Sequence, residues 1–278
     1  MNILITGHSG FIGSNLCKIL TNHNIIGVDI KDGNNILDSN YINNLFEEHN
    51  FDVVIHLAAI AGVGYSVIHS EEVLNNNIVG FDILAKAAIK NGVKHFIYAS
   101  SSSVYGDNGI QKSPYAISKM TNEMQSAMYA SISNVKFTGL RFFTVYGNGI
   151  RKDLAISKFL NAMENNTPLY VYGDGTQSRD FTYIEDIIEA IKIIVETERQ
   201  WKNEIFDIGY GESTTVNDLI LLLKSIINPS FDKIRYINER NYDVKKTLSN
   251  TNKLNEWFGF KPKYNIKQGL EKWLKHVY

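Results

Sequence analysis

The chain has 278 residues, 44% of them hydrophobic, and its 28 basic and 29 acidic side chains leave a formal net charge of −1. That is enough apolar material for one large core, or one core and a smaller lobe, and the near-neutral balance offers no general attraction to nucleic acid or an anionic membrane surface. The single cysteine, Cys17, excludes an internal disulfide framework or a thiolate metal site and reads as a small core residue. No apolar run is long enough to span a bilayer, and a strand pattern starting at residue 2 leaves no room for a signal peptide, so a cytoplasmic protein is expected.

In chain order, Asn2–Thr6 reads as a buried strand, followed by Gly7-His8-Ser9-Gly10-Phe11-Ile12-Gly13 and a helical pattern from Ser14. Strand, glycine turn, helix is the context of a phosphate cradle: Gly7 for the tight turn, Gly10 for backbone approach to a pyrophosphate, Gly13 for close helix packing. The bland reading is a simple turn, and the spacing is Gly-x-x-Gly-x-x-Gly rather than Gly-x-Gly-x-x-Gly. A second strand at 24–29 ends in Asp29, sixteen residues after Gly13, where a carboxylate can accept ribose hydroxyls and repel a 2′-phosphate, which points to NAD. Lys31, two residues on, could instead tolerate a phosphate, and Asp29 could be only a turn former.

Strands at 52–57, 95–100 and 135–141 alternate with helices at 70–91 and 115–131. Such βαβ repetition makes an α/β, doubly wound parallel sheet, whose ligands bind at the carboxyl ends of strands. Ala58, Ala59, Ser100 to Ser103 and Tyr115 should therefore line one crevice. Beyond about residue 150 the pattern loosens into pieces near 169–172, 205–227, 234–237 and 266–276. The expected organisation is a dinucleotide-binding domain over 1–150, with return segments from about 180–208, and a smaller lobe over 151–278.

Tyr115 and Lys119 lie four residues apart, which on a helix stacks phenol and ammonium on one face. A lysine beside a tyrosine favours the phenolate, the arrangement of an acid/base group able to work nearer neutrality. Taken alone, the pair can equally be two neighbours on a solvated face.

The glycine loop, Leu57-Ala58-Ala59, Asn77-Ile78-Val79-Gly80, Ser100-Ser101-Ser102-Ser103-Val104-Tyr105-Gly106, Tyr115-x-x-x-Lys119, Arg141-Phe142-Phe143-Thr144-Val145-Tyr146-Gly147, Ser178-Arg179-Asp180-Phe181 and Arg240-Asn241-Tyr242-Asp243 together resemble the extended short-chain dehydrogenase/reductases, specifically the nucleotide-sugar epimerases and dehydratases. The resemblance covers nearly the whole chain and implies a Rossmann fold with a C-terminal substrate-binding lobe. It implies NAD held by Gly7, Ser9, Gly10, Phe11, Ile12, Gly13, Asp29, Ile36, Asp38 at the adenine, Leu57, Ala58, Ala59, Asn77 and Ser100. It makes Tyr115 the group that takes the C4 hydroxyl proton while hydride passes to the nicotinamide, Lys119 its partner and ribose ligand, and Ser101 the hydroxyl that shares O4. Ser102, Thr144 and Arg151 would address the sugar, Arg179 and Arg240 the diphosphate, and Asp243 the nucleotide's ribose. Exposed-loop and helix-interior roles are the dull alternatives for Asp38 and Asn77, and turn formation for Ser102 and Ser103.

Family dehydratases carry an Asp-Glu pair after the catalytic hydroxyl, where this chain has Ser102-Ser103. The resemblance therefore implies an NAD-dependent 4-epimerase acting on a UDP-hexose or UDP-hexuronic acid, with Thr144 and Arg151 pointing to the uronic-acid type and Gly64, where that subgroup has arginine, pointing away from it. A 4-dehydrogenase or 4-ketoreductase, and a catalytically silent NAD sensor, are the other readings. Helices 70–91 and 115–131 would pair in a homodimer through the stripe Met120, Met124, Ala127 and Met128, unless that stripe is ordinary core. The connections from Asp29 to Asp38 and from Ser101 to Tyr115 are shorter than the family's, so a compact member rather than a fragment is expected.

Overall fold

The computed structural model describes residues 1–275; the last position of the expected 266–276 piece, and the last three of the 151–278 lobe, lie outside the described residues. Strands β1 (Asn2–Thr6), β2 (Asn24–Val28), β3 (Val53–His56), β4 (His95–Ser101) and β5 (Lys136–Phe142) lie in the order β2-β1-β3-β4-β5, with the later strand Asn203–Ile208 beyond β5. The pairs β1·β2, β1·β3, β3·β4 and β4·β5 are parallel. Because helices cover such a sheet, its strands are apolar without alternation, and all four residues of β3 are buried. Phe81 meets Phe96 and Tyr98 edge-on at 5.4 and 5.2 Å, in a core shared with Leu4, Val54 and Phe137.

The chain reverses its direction of travel across the sheet between β1 and β3, which brings the ends of both strands to the switch point where doubly wound sheets take ligands. No strand forms between Asp29 and Asp38. A 3₁₀ turn at Ile30–Asp32 leads to α2 (Ser39–Glu48), and β2 stays at the sheet edge.

The helix expected over 70–91 is broken: α4 (Ser70–Leu74) and α5 (Gly80–Lys90) are joined by a π turn at Asn75–Val79, preceded by the short α3 (Val63–Ile68). Three successive asparagines are weak helix formers, and the wider turn swings the Asn77 amide inward, where it is 1% exposed. Helix α6 (Pro114–Ile132) starts as its sequence asks, with Ser113 as N-cap accepting from Ala116 N at 3.2 Å and Pro114 in the first turn.

The chain divides into two units, Met1–Phe142 with Ile188–Asp207, and Phe143–Ile187 with Ile208–Tyr278. The second contains β6 (Thr144–Tyr146), β7 (Leu169–Tyr172), β8 (Ser178–Tyr183) and, after the return strand Asn203–Ile208 (β9), β10 (Ser213–Thr215) and β11 (Ile234–Ile237). They form a β10-β8-β6 sheet and a parallel β11-β7 pair. Among the described residues no helix is long and apolar enough to cross a membrane, and no group of three or more His, Cys, Asp or Glu is placed to hold a metal ion.

Candidate active site

The first glycine loop is built for close backbone approach. Gly7 has φ +75°, and a Cβ there would lie 2.7 Å from the Ala58 nitrogen; one on Gly13 would strike the Gly7 carbonyl oxygen. Asp29, 8% exposed, accepts the Ser9 and Lys31 backbone N–H groups at 3.1 and 3.0 Å, one on each carboxylate oxygen. Each oxygen keeps a lone pair for a ribose hydroxyl. Lys31 donates its ammonium to the Ser9 carbonyl at 2.8 Å, so its charge is engaged in holding the loop. Cradle and acid thus fit a dinucleotide whose ribose carries free hydroxyls. NAD should copurify, and Asp29→Ala should weaken it roughly 10- to 100-fold, the scale of losing hydrogen bonds to a charged acceptor. Calorimetric titration checks this; equal binding of NADP by the unaltered protein would sink the cofactor assignment.

Phe11 and Ile12 open α1 (Phe11–Cys17) behind Gly10, and Leu57, Ala58 and Ala59 follow β3 at the same end of the sheet. Ile36 is 5% exposed in the core, against Gly80 of α5, so its side chain is spent on packing. Asp38 is exposed and caps α2, accepting the Tyr41 N–H at 2.9 Å. Asn77 stands behind the loop. Its amide accepts from Ile60 N at 2.9 Å and donates to Ile60 O and to the Ser118 hydroxyl, both at 3.1 Å, and Ser118 in turn donates to the Tyr115 carbonyl.

Tyr115 is half-buried in the first turn of α6, and the Lys119 ammonium lies 6.0 Å from its ring centroid. Lys119 is 2% exposed and donates to the Ala99 carbonyl at 2.8 Å; burial pushes its ammonium down to about 8. The same bond holds α6 against the end of β4, where Ser101 begins the turn Ser102–Tyr105. The Ser101 oxygen accepts from Ser103 N and Oγ at 3.1 and 2.9 Å, leaving its own O–H to donate. The Ser100 hydroxyl is committed elsewhere, to Glu123 at 2.6 Å. Tyr105, the other tyrosine beside the serines, has its phenol pushed up to about 12 by burial and by Asp207, so it stays protonated.

In the second unit, Arg179 on β8 donates to the Ser178 carbonyl at 2.9 Å; burial lowers its pKa while Asp243 opposes that shift. The Arg240 guanidinium lies 3.4 Å from the Tyr172 ring centroid, and a cleft of about 500 Å³ is lined by Tyr172, Gln177, Arg240, Asp243 and Lys245. Thr144 begins β6, and Arg151 forms a bidentate pair with Asp153 at 3.0 and 2.6 Å. Sequence reading passed over Asp180, fully buried, whose carboxylate accepts Tyr210 N, Gly211 N and Ser249 N at 2.9, 2.9 and 3.1 Å and so ties the strand carrying Arg179 to two distant loops. It also passed over Glu123, although Glu123 is one turn beyond Lys119 on the same helix.

Residues 3–209 match the family described as the NAD dependent epimerase/dehydratase family. The Staphylococcus aureus protein CapI is 32% identical over 99% of this chain and 97% of its own length; the alignment runs over 326 positions, so CapI has internal segments that this chain lacks. The Thermotoga maritima UDP-glucose 4-epimerase, solved with UDP-glucose, superposes with a TM-score of 0.93 at 31% identity, covering 100% of this chain and 98% of that one. The Bacillus cereus UDP-glucuronic acid 4-epimerase, solved with UDP-glucuronic acid and NAD, gives 0.92 at 30% identity, covering both chains completely. With the family match running from the first strand through the return strand, and relatives similar from end to end, the chain belongs to the NAD-dependent epimerase/dehydratase family.

Proposed function

We propose that this protein is an NAD-dependent UDP-sugar 4-epimerase, acting on a UDP-hexose or UDP-hexuronic acid in the cytoplasm. The observation that carries the reading is the Tyr115–Lys119 pair on α6, held by Lys119 against the end of the strand that presents Ser101, in a chain whose relatives include UDP-sugar 4-epimerases. NAD, when bound, supplies a two-electron acceptor for C4 and returns those electrons to the other face. Gly7, Gly10 and Gly13 keep side chains away from its phosphates, and Asp29 holds a ribose. Tyr115 takes the C4 hydroxyl proton and later gives it back, Lys119 supports the phenolate, and Ser101 donates to O4. Arg179 and Arg240 suit a diphosphate, being planar and permanently charged, and Asp243 suits the nucleotide's ribose.

Solvent-deuterium labelling tests the reaction. Internal return leaves C4 and C5 of the epimerised sugar unlabelled, whereas elimination chemistry introduces deuterium; label in the product, or net accumulation of NADH, means another reaction.

We also propose a homodimer. The stripe on α6 faces outward in the single chain: Met120, Met124 and Met128 are 41, 67 and 45% exposed, and Ala127 between them is exposed as well. An apolar patch of that length is one that association would cover. Sedimentation should show a dimer that Met124→Glu shifts to monomer; a concentration-independent monomer in the unaltered protein refutes it.

A further inference from the structure

Five side chains outside the acid/base set, Ser100, Tyr105, Glu123, Arg141 and Asp207, form one continuous network in the first unit, buried at Ser100 and Asp207 and reaching the surface at Tyr105. Glu123, on the Tyr115–Lys119 helix, takes the Arg141 Nε and Nη2 at 2.8 and 2.7 Å and the Ser100 hydroxyl at 2.6 Å. Arg141, on β5, donates its remaining arm to the Tyr105 hydroxyl at 2.8 Å and stacks on that ring at 4.7 Å. Tyr105 donates to the Asp207 carboxylate at 2.8 and 3.0 Å, at the end of β9. The two ends of the run Ser100–Tyr105 are therefore gripped by the two ends of a single Glu123–Arg141 ion pair, and Ser101 lies between the grips. The anchor of that pair is on the helix that carries the phenol, one turn past Lys119.

We propose that Glu123, Arg141 and Tyr105 are positioning residues that fix the Ser101 hydroxyl relative to the Tyr115 helix, so that both address the same substrate oxygen. The chemistry suits the task. A bidentate guanidinium–carboxylate pair fixes direction as well as distance, and Arg141 is held firmly protonated, chiefly by its hydrogen bond to Glu123. The turn's own bonds are local, from Ser103 to Ser101, from Gly106 N to the Ser103 carbonyl at 3.1 Å and from the Gln111 amide to the Val104 carbonyl at 2.8 Å, and the Asp107–Ile110 connection that follows is exposed at Asn108, Gly109 and Ile110. Misplacing a catalytic group by about 1 Å can cost on the order of a hundredfold, so a clamp of this kind acts on turnover more than on binding.

The inference rests on the epimerase reading, and its test separates the two. Ser100→Ala and Tyr105→Phe each cut one grip while leaving the Glu123–Arg141 pair intact, and the buried Asp207 carboxylate, which loses the Tyr105 hydroxyl in the second variant, keeps the Arg141 guanidinium 4.0 Å away. Each should raise hydrogen–deuterium exchange in the Ser101–Gly106 segment, with NAD content and melting temperature little changed; unchanged exchange in both variants overturns the clamp whether or not a substrate is known. With UDP-glucose or UDP-glucuronic acid as substrate, kcat should fall roughly 10- to 100-fold at constant KM. In a Ser101→Ala background the same Tyr105→Phe change should cost almost nothing further, because the clamp acts through that hydroxyl. Fully additive losses would mark Tyr105 as merely structural and overturn the proposal. Failure of the unaltered enzyme to turn over any UDP-sugar would sink the epimerase reading alone, leaving the exchange experiment to decide the clamp.

Discussion

Tyr115→Phe should lose roughly 10²–10⁴ in kcat, the range typical of a general acid/base group, while keeping its fold and its NAD. The substitution removes one oxygen from a half-buried ring at the start of α6, and Ser118 bonds to the Tyr115 backbone carbonyl, which the change leaves in place. Neither Tyr105 nor His56 is suited to take over. Tyr105 stays protonated with its phenol at about 12, and His56, fully buried against Thr6, is pushed down to about 3 by burial and so stays neutral. Steady-state kinetics beside a cofactor assay checks both halves; full activity in the phenylalanine variant would remove Tyr115 from the mechanism.

Lys119→Met should make the protein slower and more stable together. An unfolded lysine titrates near 10.4, whereas Lys119 in the fold is pushed down to about 8 because the ammonium is 2% exposed. The native pKa is below the unfolded one, so the folded state carries the penalty of a buried charge in full below pH 8, and sheds it as pH rises from about 8 towards 10.4. That penalty is on the order of 3 kcal/mol, from which about 1 kcal/mol is subtracted for the Ala99 carbonyl left without its donor. Melting temperature at pH 7 should therefore rise by several degrees, and the gain should vanish near pH 10.5. Activity should fall, with the acidic limb of the pH–rate profile moved upward because the phenol loses its cation. A methionine variant less stable than its parent at pH 7 would contradict this account.

Much of this was readable from local pattern. The unbroken apolar runs at 3–5, 53–55 and 96–99 are the interior of a sheet covered on both faces, and Ser113-Pro114 announces the start of α6. The glycine loop and Asp29 could be paired because short sequence distance constrains both. What stayed hidden is what the fold alone brings together. Tyr105 and Asp207 meet across 102 positions and Glu123 and Arg141 across 18, and nothing in either pair's spacing announces the other. Asp180 stayed hidden for the same reason, because its three backbone partners lie 30 or more residues away. The helices Ala155–Glu164 and Ile184–Glu196 fell in the region where the pattern seemed to loosen, since the short strands there mask the change of period.

The π turn at Asn75–Val79 has an evolutionary corollary. It contains one residue more than an α-helix needs, so an in-frame loss of a single codon there would heal the break and give a longer, more regular helix. Each residue removed also turns one side of the helix by about 100° against the other. Asn77 would leave Ile60 and Ser118, and the helix that carries Tyr115 would lose that lateral support. Such a deletion would look harmless by helicity or expression yet be selected against through turnover, which makes the irregular spot the place in this scaffold where chain length itself is under functional constraint.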